Sequence, residues 1–188
     1  MKKLLLHICC GPCALYVYEK LRLEYDVTGF FYNPNIHQKK EYEFRKEELK
    51  KIAEIYNWNI IYAEYDMKDW FSFIKGYEKE PERGKRCSLC YKFRLEKTFQ
   101  YAKEKNFDII TSTLSISPHK NTDQINTEGY ALSENYGIEF LGESFKKKNG
   151  FNIGREMGKK LNVKRQDYCG CSYSKADRII FDRSKSSK

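Results

Sequence analysis

Residues 2–21 read KKLLLHICCGPCALYVYEKL, an apolar run, then a turn carrying three cysteines, then apolar residues at helical spacing. LLLHI shows no polar alternation, as expected of a strand buried on both faces, and ALYVYEKLRLEY (14–25) has the period of an amphipathic helix. Gly11 and Pro12 suit a tight turn between them. The stretch predicts a strand–turn–helix unit, and the chain repeats the scheme. DVTGFFYN (26–33), NIIYAEY (59–65), FDIITSTLSIS (107–117) and IEFLGESF (138–145) predict strands; residues 39–57, 66–78, 87–107, 122–137 and 151–163 predict helices. Asn121 or Thr122 caps the helix over 122–137, and Gly137 stops it. Strands alternating with helices through short loops give an α/β fold, a parallel sheet with helices on both faces. The expected organisation is a single domain over 1–180 and a basic C-terminal tail over 181–188. In such sheets the functional crevice lies beyond the carboxyl ends of the strands, where strand order reverses. The cysteine turn follows the first strand directly and falls there.

The chain has 188 residues, with 35 Lys and Arg against 26 Asp and Glu, a net charge of +9, and 15% aromatics. Excess positive charge with many flat rings suits an RNA or other polyanion partner, because cations displace counterions and rings stack on unpaired bases; no DNA or membrane partner is expected. A basic surface over an aromatic core would give the same composition. No run approaches the ~20 apolar residues of a membrane-spanning helix, and LLL is too short for a secretory h-region. The expected location is cytoplasmic, where seven cysteines are metal ligands or catalysts more often than disulfides. GxGxxG and Walker phosphate-binding signatures are missing.

The cysteines fall in three groups. Cys9, Cys10 and Cys13 sit at a strand–helix junction, where unpaired helix amides favour thiolates. CGPC by itself matches a thioredoxin-like dithiol, but its place after a first strand and the extra Cys9 oppose that reading. Cys87 and Cys90 in RCSLCYKFRL lie at i and i+3 on one helix face, a spacing that binds one metal centre. Two such pairs supply four thiolates, Cys9, Cys10, Cys87 and Cys90, fit for tetrahedral zinc or a [4Fe–4S] cluster. Adjacent Cys9 and Cys10 favour the cluster, since neighbouring side chains can bind different irons of a cube. Cys13 is left over, either packed as a small hydrophobe or a further ligand. Cys169 and Cys171, around Gly170, can close only a strained disulfide, suited to a redox relay, or can bind metal. Asp167 and Tyr168 beside them can serve as carboxylate ligand or proton donor. His7, inside an apolar strand, reads as a satisfied core histidine. The loop from Pro118 to Asn121 offers donors at a helix start, or is an ordinary capped loop.

LLLHICCGPC (4–13), RCSLCYKFRLEKT (86–98), TSTLSISPHKN (111–121), FKKKNG (145–150) and RQDYCGCSYSK (165–175), in this order, resemble the QueH family of epoxyqueuosine reductases, which complete queuosine synthesis in tRNA. The resemblance implies a Rossmann-like fold of the adenine-nucleotide α-hydrolase and PP-loop kind. It also implies a cytosolic iron–sulfur enzyme that removes the epoxide oxygen of the wobble base with two electrons and two protons. PP-loop relatives hold ATP with an SGGxDS-type loop after the first strand; CCGPC stands there instead, against ATP use. On this reading Cys9, Cys10, Cys87 and Cys90 hold a [4Fe–4S] cluster. Cys169 and Cys171 then form a redox-active disulfide, or bind a second iron ion with Cys13 and Asp167. Asp167 or Tyr168 donates the proton. Lys120, Lys146, Lys147 and Lys148 bind tRNA phosphates, and an electron donor of unspecified identity completes the system. Two rivals are a zinc-stabilised RNA-binding module, colourless and free of iron, and an ATP-dependent tRNA-modifying enzyme of the PP-loop type.

Overall fold

The computed structural model describes residues 1–186. The order is β1 (Lys3–Ile8), α1 (Gly11–Leu21), β2 (Asp26–Phe31), α2 (Lys39–Tyr56), β3 (Asn59–Tyr62), α3 (Met67–Phe73) and α4 (Lys85–Glu104). Then follow β4 (Ile109–Ser112), α5 (Thr122–Tyr136), β5 (Glu139–Phe140), α6 (Gly150–Lys160) and α7 (Ser172–Ser186). Among the described residues one five-stranded sheet forms in the order β3-β2-β1-β4-β5, with parallel pairing throughout. β1 lies at its centre, and strand order reverses between β1 and β4.

β1 lacks polar alternation because both of its faces are covered. Leu4, Leu6 and Ile8 pack with residues of α1 and α2, whereas Leu5 packs with α4 and α5. All four are fully buried, and each contributes about 1.5–3 kcal/mol by leaving water. α6 carries Gly150, Gly154 and Gly158 at i, i+4 and i+8, and this buried stripe lies against α1. A Cβ on Gly150 would sit 2.1 Å from the Phe145 carbonyl oxygen and 2.4 Å from the Tyr16 ring. A Cβ on Gly154 or Gly158 would meet α1 only at ordinary contact distance, 3.4 Å from Tyr16 and 3.7 Å from Leu15, so the close approach rests on Gly150.

Several element bounds differ from expectation. α1 begins at Gly11 with Pro12 in its first turn, so Cys10 is the N-cap and Cys13 is helical. The strand expected over 107–117 ends at Ser112, whose hydroxyl accepts from the Leu114 amide at 3.2 Å and starts a 3-10 turn over Thr113–Ile116. The strand expected over 138–145 is two residues long at the sheet edge. Asn121 caps α5 by accepting from the Asp123 and Gln124 amides, and Gly137 ends it in the left-handed region at φ 67°. The segment expected as a basic tail from residue 181 is helical through Ser186, with an i,i+4 ion pair between Arg178 and Asp182 at 3.1 Å. Residues 187–188 of that tail lie outside the described residues.

Candidate metal and redox centre

Cys9 and Cys10 occupy the turn from β1 into α1, and Cys13 completes the first helical turn. Their three Sγ atoms all lie within 4.8 Å of one another, with Cys9 and Cys10 at 3.8 Å. Cys13, which the sequence left unplaced, joins the pair. Thr113, just past β4, fixes Cys9 from both sides: its Oγ1 accepts from the Cys9 amide at 3.0 Å and donates to the Cys9 sulfur at 3.4 Å. Hydrogen bonds from Cys10 and Cys13 pull the Cys9 pKa well below the usual thiol range, helped by the charges of Lys120 and Arg94. The Cys13 bond pulls Cys10 down, but its bond to Cys9 and its burial prevail and push it up to about 12. Bonds to Cys10 and Cys9, then burial, push Cys13 up as well. Within the trio, Cys9 is thus the sulfur whose thiolate form is favoured.

Cys87 lies in the first turn of α4 and Cys90 one turn on. The Cys87 sulfur accepts from the Arg83 amide at 3.2 Å, and burial pushes its pKa up to about 11. Cys87 packs against the apolar cluster that contains Cys9 and Cys10, whereas Cys90 packs with Trp70, Ile74 and Cys171. One turn beyond Cys90 stands Arg94, 1% exposed. Its Nη2 donates to Asn33 Oδ1 at 2.6 Å, and Asn33 in turn donates to the Ile8 carbonyl at 2.9 Å. Burial disfavours the Arg94 charge, yet the sulfurs of Cys90, Cys9 and Cys169 more than offset it and raise its pKa. The guanidinium therefore faces all three cysteine segments.

The third segment is tied down by the first half of the chain. Arg45 of α2, buried, donates from Nη1 to the Cys169 carbonyl at 3.0 Å and lies 5.2 Å over the Tyr168 ring. The His37 amide donates to the Gly170 carbonyl at 2.9 Å, and the Ser172 amide donates to His37 Nδ1 at 3.1 Å. Gly170 has φ 116°, open to glycine and strained for other residues. A hydrogen bond from Cys171 pulls Cys169 well below the usual thiol range, with Lys120, Arg94 and Arg45 adding to it; the same bond and burial push Cys171 up. The Cys171 sulfur accepts from the Ser174 amide at 3.3 Å. Of the pair, Cys169 is the sulfur whose thiolate form is favoured and Cys171 the one that keeps its proton more firmly.

Cys9, Cys10, Cys13, Arg94 and Cys169 line one cleft of about 790 Å³ at the carboxyl ends of β1 and β4. Asp167, exposed, and Tyr168, half-buried, line it too. Lys120, expected on tRNA phosphates, lines this cleft; burial works against its charge, but Cys169, Cys9 and Cys13 raise its pKa well above the usual range. Lys146 donates to the Lys120 carbonyl at 3.4 Å, and Lys147 and Lys148 line a separate hollow of about 240 Å³ with Tyr16 and Lys20. His7 is a satisfied core histidine: its Nε2 donates to the Tyr32 carbonyl at 3.1 Å and its Nδ1 accepts from Ser112 at 2.8 Å. Sequence reasoning missed Arg45, Arg94 and Asn33. Arg94 showed only an i+4 offset from Cys90, which does not tell a buried arginine from a solvated one; Asn33 was read only as the end of a predicted strand, and Arg45 had no signal beyond its helix.

A family model described as Epoxyqueuosine reductase QueH matches residues 4–177. The chain is 44% identical over 177 residues to the Epoxyqueuosine reductase QueH of Histophilus somni, covering 93% of this chain and 73% of that protein. It is 36% identical over 181 residues to that of Thermotoga maritima, covering 95% and 93%. Among solved structures, U34-tRNA thiolase NcsA from Methanococcus maripaludis, with its [4Fe–4S] cluster, matches at TM-score 0.57 and 14% identity, over 92% of this chain and 61% of that one. A predicted subunit of tRNA methyltransferase from Methanocaldococcus jannaschii matches at TM-score 0.56 and 15% identity, over 83% and 76%. At such identities the likeness shows the fold alone, a parallel sheet with helices on both faces as the sequence predicted.

Proposed function

Because the chain belongs to the QueH family of epoxyqueuosine reductases, we propose that it reduces epoxyqueuosine to queuosine at the wobble position of tRNA. The observation that carries this reading is the meeting of sulfur segments from positions 9–13 and 169–171 in one cleft, at the point where strand order reverses. The proposed setting is cytoplasmic; among the described residues no helix is long and apolar enough to cross a membrane.

The donor set fits a sulfur-ligated cluster. Three sulfurs already lie within 4.8 Å of one another, and buried Arg94 has its Nε without a hydrogen-bond partner. Soft thiolates select iron–sulfur or zinc centres, and fixed cations offset the negative charge they build up. Cys9, Cys10, Cys87 and Cys90 would hold a [4Fe–4S] cluster, with Cys13 beside the first two. When bound, such a cluster supplies electrons one at a time from an external reductant.

The reaction breaks both C–O bonds of the epoxide, forms the ring alkene and releases the oxygen as water, which takes up two electrons and two protons. Oxidation of the Cys169–Cys171 dithiol to a disulfide yields two electrons and two protons, so the pair balances one turnover. The depressed Cys169 and raised Cys171 suit this role, one sulfur ready to attack and the other holding a proton. Asp167 or Tyr168, on the cleft wall, delivers a proton to the departing oxygen. A second reading has Cys13, Asp167, Cys169 and Cys171 hold an added iron ion; the shared cleft lining of the first three favours it. Lys146, Lys147 and Lys148 would contact tRNA outside the cleft.

The test is anaerobic purification with iron and sulfide analysis, then turnover of epoxyqueuosine-containing tRNA with dithionite as reductant. A brown protein that forms queuosine is expected, and a colourless protein holding one zinc would sink the reading. In Cys169→Ser with Cys171→Ser, the cluster should survive and turnover fall below detection; full turnover would remove the dithiol from the mechanism.

A further inference from the structure

The outer lining of the cleft differs from its sulfur floor. Exposed Arg83, Arg155 and Arg165 and half-buried Phe151 belong to it, together with the exposed carboxylates Glu82, Asp167 and Asp177. Phe151 and Arg155 stand one turn apart on α6, on the same face, and Arg165 belongs to the loop joining α6 to α7. The guanidinium carbon of Arg165 lies 4.4 Å from the centre of the Phe151 ring. Phe151 packs against the core below, so the ring is held in place, and Arg165 has no ion pair among the described residues. Arg155 meets Glu156 at 3.5 Å, an exposed pair that water and salt screen.

A guanidinium on an aromatic ring at the lip of a deep cleft is a preassembled flat surface. Its chemistry fits an unpaired nucleobase, because bases stack on rings and on guanidinium planes regardless of sequence. A cleft that takes a base out of its stack leaves the neighbouring nucleotide unpaired at the lip. We propose that Arg165 and Phe151 form a stacking shoulder for the nucleotide next to the inserted base, with Arg155 binding its phosphate. This rests on the reading of the substrate as an anticodon-loop nucleotide. It moves the main RNA contact from the lysines at 146–148 to the cleft lip. The lysines and this shoulder lie on separate hollows, so the two assignments can be separated.

The test is fluorescence anisotropy of the full chain with a labelled anticodon stem-loop RNA carrying unmodified guanine at the wobble position, over a salt series. Phe151→Leu and Arg165→Gln should each weaken binding by about 5- to 150-fold, the value of one base stack. Arg155→Gln should lower the log–log salt slope by about 0.7, one phosphate on a single strand. A fully paired RNA of equal length should bind more weakly than the stem-loop. Arg165→Gln and Arg155→Gln are surface changes, so they decide the matter even if Phe151→Leu fails to fold. Wild-type affinity and salt slope in both would overturn the proposal. So would a loss confined to Lys147→Gln and Lys148→Gln, no binding by the wild-type chain, or equal binding of paired RNA. Binding does not need electrons: a wild-type protein without iron or sulfide sinks the reductase reading and leaves these outcomes intact.

Discussion

Arg94 shows how one side chain organises a sulfur-rich site. Its Nη2 meets a neutral amide oxygen, and its remaining field falls on cysteines from all three segments. A buried cation without a carboxylate is costly unless negative charge faces it, and the cysteine sulfurs are the groups placed to carry that charge. Arg94→Gln keeps a hydrogen-bonding side chain and removes the charge. The expected result is roughly 10–100-fold weaker metal retention, the usual cost of losing a group that supports metal ligands. Competition with a chelator after reconstitution, followed by iron analysis, measures it; unchanged retention would show that the charge is idle. The cysteines were legible in the sequence because their spacing is chemical. Arg94 was not, because an arginine on a helix is ordinarily a solvated residue and only packing makes it a buried one.

At the level of elements, the loop carrying Cys169 and Cys171 is held by Arg45 and His37 from the first half of the chain as well as by Ser174 of its own segment. Gly170 is the position that makes this hold possible. A Cβ there would lie 2.9 Å from Arg45 Nη1 and 3.0 Å from Ile36, on a backbone at φ 116°. Gly170→Ala should cost about 1–3 kcal/mol in stability and displace both thiols. Denaturant unfolding and the alkylation rate of Cys169 would measure the two effects, and wild-type values in both would contradict the account. The alternation of strands and helices was readable throughout because a buried parallel strand and an amphipathic helix carry different periods. Their ends were less so. Ser112 turns β4 aside with its own hydroxyl, and Gly11 and Pro12, which suit a turn, also suit a helix start. The tight contact at the start of the helix over 150–160 was not legible, because only packing shows that Gly150 meets Tyr16.

Across the whole molecule, two buried histidines link stability to pH. Burial lowers His7 to about 3 and His37 to about 4, while both return to about 6.5 in an unfolded chain. Between those values the unfolded chain binds protons that the folded one refuses, so stability is complete above pH 6.5 and falls as pH drops through it. From about pH 6.5 to pH 5 the metal-free chain should lose about 3 kcal/mol. Urea titrations across that interval check it, and a flat response would mean that the histidines ionise in place. The same global view explains why the cleft was foreseeable and its contents were not. Strand order alone puts a crevice beside β1, but only the return of residues 165–171 across α2 completes its wall.

That return also sets a timetable. A ribosome delivers the chain from its amino end, so Cys9, Cys10 and Cys13 emerge first, and the loop of Cys169 and Cys171, with its clasp onto Arg45, comes last. Until then the nascent protein shows an open row of sulfurs to whatever metals and oxidants surround it.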